Sequence, residues 1–386
     1  MVYYIDSQPS TFAFSHERQV DKIATDEVLP TIKPGDKVLF KRGCIFRCAL
    51  DISPGSDEAP VYYGAYGEGE NPVFCGSVQS CNQDDWQEES KNIWTYSALP
   101  CEEVASLILG STYGTFRWSK DELTENGDFY ADYMGCINKA VTISNNKIYL
   151  YCDRNPVQKY GTIELCIYGR RNLGTLASNI VIENLDFINS GVHGLSGAGK
   201  NITIKNCNFK NIGGICWNKE QKIRFGNAIE LWNECENVTV EGCTFDEIYD
   251  SAVTHQGNTN CKPAYRLIIK GNAFRHCGMA AYEQRDLMTI ESEFSNNICT
   301  AAGDGFSKLG ETMPRFSEIY PEPMGHHIFL WRIENPTDGG GLVIKDNDFG
   351  SAPYGYAIYG RISRKAQDQL IIEGNKVAKD AIWMRK

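Results

Sequence analysis

One short run of residues recurs through the second half of the chain and constrains its fold more than any other feature. Each copy alternates apolar and polar residues, passes a polar turn rich in Asn and Gly, and closes on Phe or another apolar residue. The copies begin at residues 179, 201, 237, 267, 295, 342 and 370. A constant core with spacers of unequal length indicates a solenoid whose insertions loop out from one side.

The repeat also indicates which kind of solenoid forms. Alternation over about five positions is typical of a strand with one buried face, and two further short strands follow each polar turn. Three short strands per coil predict an all-β, right-handed parallel β-helix in which equivalent residues of successive coils lie ~4.8 Å apart. One column after the first turn holds Asn or Cys, and we interpret its two cysteines as small buried fillers. Its members are Cys207, Cys243, Asn272, Asn297, Asn347 and Asn375.

The overall charge limits the classes of partner. Thirty-eight lysines and arginines stand against 49 acids, which gives a formal charge of −11. Such a surface is a poor ligand for phosphate backbones or anionic lipid, so neither a nucleic acid nor a membrane surface is a predicted partner. The apolar runs are also far short of the ~20 residues that a membrane helix needs.

The cysteines and the first residues bear on the compartment. Fifteen cysteines occur without a single CxxC pair, which disfavours zinc ribbons and thioredoxin-type chemistry and favours free thiols in a reducing compartment. The opening run from Met1 to Asp6 has no features of a secretory leader. A cytoplasmic location is expected on this basis, with secretion open if a leader has been removed.

The chain divides into three predicted regions. Residues 1–78 are expected to hold an N-terminal cap, with a helix over His16–Leu29, and the first strands of the β-helix. Residues 79–170 contain strand patterns without the repeat, which predicts an inserted or flanking β-rich region. Residues 171–386 hold the regular coils and the predicted groove.

Several of these segments together resemble a known superfamily. They are the run from Pro34 to Gly43, the segment Tyr63–Gly67 and the Asn-rich repeats. They are similar to the right-handed parallel β-helix (pectate-lyase-like) superfamily of bacterial carbohydrate-active proteins. That resemblance implies a polysaccharide lyase, a glycoside hydrolase or an epimerase. The signature runs of polygalacturonases and the basic motif of alginate-lyase relatives are not evident.

The candidate site comes from aligning the third strands of the coils by the small residue that opens each one. The middle residue of each triplet is apolar and is expected to point inward, so the next residue is expected to point outward. The outward column predicted in this way is Ser196, Glu230, Thr254, Glu283, Ser307, Tyr359 and Trp383.

Two glutamates in this column suggest acid–base chemistry. Glu230 and Glu283 stand two coils apart, so their backbones are expected ~9–10 Å from each other. This is near the separation of the two carboxyls in an inverting glycosidase, where one is the acid and the other the base. Asp250 and Asp304 open neighbouring strands and are candidates for the acid, although turn chemistry alone also explains aspartates there. The residues predicted to bind substrate are His193, Trp232, His255, Arg285, Lys308 and His327.

The remaining expectations concern the groove and the alternatives. The long spacer Lys308–Gly325 is placed to overhang the groove, which would favour an exo-acting enzyme or a short oligosaccharide. The adjacent His326 and His327 point to opposite faces of a strand, so no metal or other cofactor is predicted.

The favoured function is a glycoside hydrolase acting on an oligosaccharide or polysaccharide. A polysaccharide lyase with Arg285, Lys308 or His255 as the base, and a glycan-binding solenoid without catalysis, both stay open. A homo-oligomer also stays open.

Overall fold

Parallel strand pairing dominates the computed structural model, which describes residues 1–6, 31–96, 103–131, 147–168, 172–257, 261–316 and 322–382. The predicted cap helix over His16–Leu29 lies outside these residues. In the described part of the chain, 15 strands form one sheet that bends around the solenoid. They are Val2–Ile5, Lys37–Lys41, Val61–Tyr66, Asn172–Leu176, Ile180–Glu183, His193–Lys205, Ile229–Glu241, Ser251–Gln256, Tyr265–Lys270, Ala280–Arg285, Ser292–Ser295, His326–Ile333, Leu342–Lys345, Ile358–Ile362 and Leu370–Glu373.

A second parallel sheet of nine described strands closes each coil. It consists of Ile45–Phe46, Val73–Cys75, Asp186–Ser190, Asn208–Ile212, Thr244–Ile248, Ala273–Cys277, Ile298–Thr300, Asp348–Phe349 and Lys376–Val377. Strands that follow one another along each sheet belong to successive coils. The predicted parallel β-helix is therefore confirmed.

Columns of identical side chains hold the coils together. Phe187, Phe209, Phe245 and Phe274 stack in the core with ring centroids 4.8–5.2 Å apart. The predicted Asn column is also present, because the amides of Asn272, Asn297 and Asn347 each bond the Asn of the next coil and a backbone carbonyl. Asn297, for example, donates from Nδ2 to Asn347 Oδ1 at 3.1 Å and to the Ile269 carbonyl at 3.0 Å.

The two cysteines of that column are buried, and their thiols donate to backbone carbonyls. Cys207 Sγ bonds the Lys205 carbonyl, and Cys243 Sγ bonds the Glu241 carbonyl. Their interpretation as small fillers agrees with these contacts.

A region of mainly antiparallel sheet separates the first parallel strands from the regular coils. Its strands are Ser77–Ser80, Trp86–Ser90, Ile93–Tyr96, Val104–Leu109, Thr112–Tyr113, Thr115–Phe116, Asp128–Ala131, Ile148–Tyr151 and Ile163–Ile167. Since Val61–Tyr66 pairs directly with Ile180–Glu183, the solenoid continues past this region as if it were absent. A separate hairpin, Ile215–Asn218 with Ile223–Phe225, projects from a later coil.

The helices are short and peripheral. They are the 3₁₀ turns Gln83–Asp85 and Lys120–Glu122 and the α-helices Pro156–Tyr160, Leu309–Thr312 and Arg364–Gln367. Within the described ranges, none has the length or apolar character needed to span a bilayer.

Candidate active site

Six strands of the long sheet place one residue each on the outer face of the solenoid. Their inward neighbours Leu195, Ile229, Val253, Tyr282, Ile328 and Ile358 all pack in the main core. The outward column in register with them is Ser196, Glu230, Thr254, Glu283, Phe329 and Tyr359. Glu230 and Glu283 are thus two coils apart on one face, with backbones ~10 Å apart by strand spacing.

Asp250 lies in the coil between the two glutamates. It immediately precedes the strand Ser251–Gln256, whose Thr254 occupies the position between Glu230 and Glu283. Asp250, Glu230 and Glu283 are 5%, 2% and 0% exposed, so the three carboxyls form a buried acidic cluster from three consecutive coils. We call these three residues the carboxyl triad.

Glu283 is held by three donors. Its Oε1 pairs with Arg285 Nε, and its Oε2 accepts hydrogen bonds from Ser251 Oγ at 3.1 Å and Thr254 Oγ1 at 3.2 Å. The Arg285 guanidinium lies over the Trp331 ring at 4.6 Å. This surrounding of donors stabilises an anionic carboxylate and fixes its orientation.

Glu230 contacts a histidine from the preceding coil. His193 Nε2 lies 2.5 Å from Glu230 Oε2. His193 Nδ1 accepts a hydrogen bond from the Asn227 N–H at 3.2 Å, so this imidazole is neutral with its hydrogen on Nε2. The Asn227 side chain in turn accepts from the Ser251 N–H at 3.0 Å, which joins this contact to the coil of Asp250.

Asp250 has the opposite environment to Glu283. Its Oδ1 is buried and has no hydrogen-bond partner among the described residues. Burial raises the pKa of Asp250 to about 8, and the negative charges of Glu283 and Glu230 add to this effect while Arg285 opposes it. Asp250 therefore holds a proton at neutral pH.

Apolar residues bound the carboxyl triad on both sides along the solenoid axis. Beyond Glu283, Phe329 and Tyr359 take over the outward column and pack with Met279 and Met324. Before Glu230, a second cluster covers the face; it contains Val192, Ile215, Ala105, Tyr168 and Phe225. These two apolar clusters, which we call the walls, flank the carboxyl triad.

Arg224 of the projecting hairpin joins the inserted region to the second wall. Its Nε donates to the Gly214 carbonyl at 2.6 Å, and its Nη2 donates to the Ala105 carbonyl at 2.7 Å. The guanidinium also lies 3.9 Å from the Phe116 ring centroid and 4.7 Å from that of Tyr249, next to Asp250. The hairpin, the inserted region and the coil of Asp250 are joined at this arginine.

Trp232 lies two residues beyond Glu230 on the same outward side. It is 41% exposed, and the strand register sets it in one column with Gln256, Arg285, Trp331 and Arg361. Four of the predicted site residues, His193, Glu230, Trp232 and Arg285, are therefore on the same face as Asp250 and Glu283.

Two predicted substrate-binding histidines are instead structural. His255 faces the solenoid interior, where Nε2 bonds the Asn233 carbonyl at 2.7 Å and Nδ1 contacts Gln284 Nε2 at 3.0 Å. His327 is 1% exposed, stacks on Phe349 and bonds the Gly350 carbonyl, and burial lowers its pKa to about 4. Their prediction as groove residues is wrong because His255 is in phase with the inward Val253 and His327 packs on Phe349 of the main core.

The predicted strand at Gly305–Ser307 is also wrong. The chain turns there, and the strand of that coil is His326–Ile333, so Phe329 holds the place assigned to Ser307. Asp304 is exposed, and its Oδ1 accepts from the Gly305 N–H at 2.9 Å, which is turn chemistry. Lys308 is exposed with φ of 51° at the start of Leu309–Thr312. Trp383, the last predicted member of the column, lies outside the described residues.

Some residues of the site were not predicted. These residues contact the site from neighbouring coils: Asn227 bonds His193, Ser251 bonds Glu283, and Trp331 lies under Arg285. No sequence motif marks Trp331. Alternation along the strand Ser251–Gln256 puts Ser251 in phase with the inward Val253, so it gives no signal for the contact with Glu283. Away from this face, ligand atoms of Asp246, Glu247 and His276 lie within 4.8 Å of one another. Both carboxylates already contact His276, and Glu247 also accepts a hydrogen bond from the Phe306 N–H.

No protein-family model matches the chain, and no curated protein matches it. The parallel strand pairing is sufficient by itself to define the fold. This chain is a parallel β-helix protein.

Solved structures similar to the chain include three described as carbohydrate-active enzymes. One is a glycoside hydrolase (10% identity, 84% of this chain and 81% of that chain, TM-score 0.44). Another is the pectate lyase Pel9A (11% identity, 99% and 81%, TM-score 0.41). The third is an alginate lyase from Paenibacillus sp. str. FPU-7 (10% identity, 91% of each chain, TM-score 0.40). Likeness at this level does not bear on the reaction.

Proposed function

We propose that this protein is a glycoside hydrolase that acts through the carboxyl triad. The observation that carries the proposal is Asp250, a buried carboxyl with a raised pKa that lies between two glutamates and whose Oδ1 has no hydrogen-bond partner among the described residues. A carboxyl that keeps its proton at neutral pH is the general acid that glycosidic cleavage requires.

Each carboxyl has a separate role in this proposal. Asp250 donates its proton to the glycosidic oxygen as the bond to the anomeric carbon breaks. Glu230 removes a proton from the water that attacks this carbon, with His193 holding one of its oxygens. Glu283 pairs with Arg285, and its negative charge adds to the burial that raises the pKa of Asp250. This refines the expectation that Glu230 and Glu283 are themselves the acid–base pair.

The walls favour a short substrate or a chain end. The apolar clusters around Phe329 and around Val192 interrupt the outer face on each side of the triad. A polymer lying along the solenoid axis would have to cross both. This supports the expectation of exo-acting cleavage or of an oligosaccharide substrate.

The lyase alternative loses the three bases that were predicted for it. Arg285 is paired with Glu283 and stacked on Trp331, His255 is inside the solenoid, and Lys308 is in solvent. β-Elimination needs a group that abstracts the C5 proton, and none of these three is placed to do so.

The test is one incubation with neutral and uronate-containing oligosaccharides, read for new reducing ends and for ultraviolet absorbance of unsaturated products. Reducing ends without absorbance support hydrolysis, and absorbance overturns it. Asp250→Asn should lower the rate by 10²-fold or more, whereas Asp304→Asn, the same change at an exposed turn, should not. Full activity of Asp250→Asn, or binding without turnover by the native protein, would contradict the proposal.

A further inference from the structure

The charge balance at the carboxyl triad restricts the substrate. Glu230, Asp250 and Glu283 are at least 95% buried, and the only cation in contact with a member of the triad among the described residues is Arg285. That guanidinium already neutralises Glu283. A ligand at the triad therefore meets one further glutamate and a protonated aspartate, with no positive charge in excess.

Four other arginines among the described residues also have partners. Arg361 pairs with Glu322 at 3.0 Å, and Arg332 pairs with Asp286 at 3.3 Å. Arg224 and Arg315 donate to backbone carbonyls. Lys308 is exposed, so water and salt screen its charge, whereas the buried carboxyls are screened much less.

The remaining lining suits an uncharged ring. Trp232 is exposed beside Glu230, and Phe329 and Met324 form the apolar wall beyond Glu283. Aromatic and aliphatic surfaces pack on the C–H faces of sugars, while the carboxyls accept bonds from hydroxyl groups. A uronate carboxylate would instead bring a second unpaired anion into a buried site, which is costly without a partner.

We propose that the sugar bound at the carboxyl triad is uncharged, a neutral hexose or pentose unit, and that the site rejects uronates. This inference rests on the proposed function, because it concerns the same site. It also adds a selectivity that acid–base catalysis alone does not require, since the same chemistry could act on an acidic sugar if a free cation were present.

Matched substrate pairs test the inference. Each pair is a uronate oligosaccharide and its carboxyl-reduced counterpart, which share linkage and length and differ only in charge. Reducing ends, ultraviolet absorbance and tryptophan fluorescence on binding are measured for every pair with the native protein. We expect at least one neutral member to be hydrolysed 100-fold faster than its acidic partner.

The outcomes separate the two proposals. Hydrolysis of uronate members at equal or greater rates would overturn the neutral-sugar inference and leave the hydrolase intact. Unsaturated products would overturn the hydrolase. Tighter binding of neutral members without turnover would support the selectivity and contradict the hydrolase. Silence of every member, neutral and acidic, in all three readouts would overturn both.

A variant that changes the charge provides a second test. Glu283→Gln removes one anion and frees Arg285, so the preference for neutral over uronate members should fall at least tenfold. Glu293→Gln, which breaks a more exposed pair with Lys345, is the matched control and should leave the ratio unchanged. An unchanged ratio in Glu283→Gln, with native circular dichroism, would contradict the inference.

Discussion

His193 Nε2 lies 2.5 Å from Glu230 Oε2, and this contact joins two consecutive coils of the solenoid. The Asn227 N–H bonds Nδ1, which leaves the imidazole hydrogen on Nε2, the nitrogen that is nearest to the carboxylate. In the proposed mechanism this contact sets the direction in which the free Glu230 oxygen faces water.

Replacing His193 should therefore affect turnover more than binding. We expect His193→Asn to lower kcat by about 10- to 100-fold with little change in KM, because the base is misdirected while the sugar contacts remain. Steady-state kinetics on the best substrate of the panel measure both constants. His276→Asn, at the distant Asp246 contact, is the control; an equal loss there, or a loss in KM alone for His193→Asn, would contradict the positioning role.

The proton on Asp250 predicts the alkaline limit of activity. The acid works only while protonated, so kcat/KM should fall as pH rises through about 8. Glu283→Gln removes a negative charge that raises this pKa, so the alkaline limb should move to lower pH. A pH profile of each protein checks the prediction, and a limb that moves upward or stays fixed would show that another group controls it.

The same carboxyl predicts a pH dependence of stability. The folded-state pKa of Asp250 is raised above its unfolded value of ~3.9, so the folded state binds the proton more tightly. Stability should therefore decrease as pH rises from about 4 to about 8, with a contribution on the order of 4 kcal/mol from this group. Urea unfolding at pH 5 and pH 8 measures the difference. In Asp250→Asn the difference should shrink, and an unchanged difference would refute the assignment.

The Asn column predicts a cost to stability far from the site. Asn297 bonds Asn347, the Ile269 carbonyl and the N–H of Asn272, so Asn297→Ala should lower the free energy of unfolding by roughly 2–4 kcal/mol. Asn375 is the last member of the column and is less buried, so Asn375→Ala should cost less. Chemical denaturation of both variants tests the order, and equal or reversed losses would contradict it.

Local patterns were enough to predict the fold. Alternation in each repeat places Ile229 and Val253 inside and Glu230 and Thr254 outside, and each of these positions is confirmed. The same alternation also places His255 inside, one residue beyond Thr254. Its prediction as a groove residue ignored this two-residue period. The burial of His255 shows that the alternation predicts its side correctly.

The site itself depends on features that sequence patterns do not contain. The contact between His193 and Glu230 joins residues 37 positions apart across a bend of the chain, and no periodicity encodes it. The proton on Asp250 follows from burial by walls that come from other coils and from the inserted region. The strand at His326–Ile333 was missed because the length of the preceding excursion is not fixed by the small residue used for alignment.

The carboxyl triad takes one residue from each of three consecutive coils, and this limits how the molecule can change in length. Coils added or deleted before residue 193 or after residue 333 would shift whole units of the solenoid without separating these side chains. One coil inserted between Gly226 and Arg285 would part Asp250 from one of its glutamates by another ~4.8 Å. The carboxyl triad therefore tolerates the gain or loss of whole coils on either side of it, but not within it.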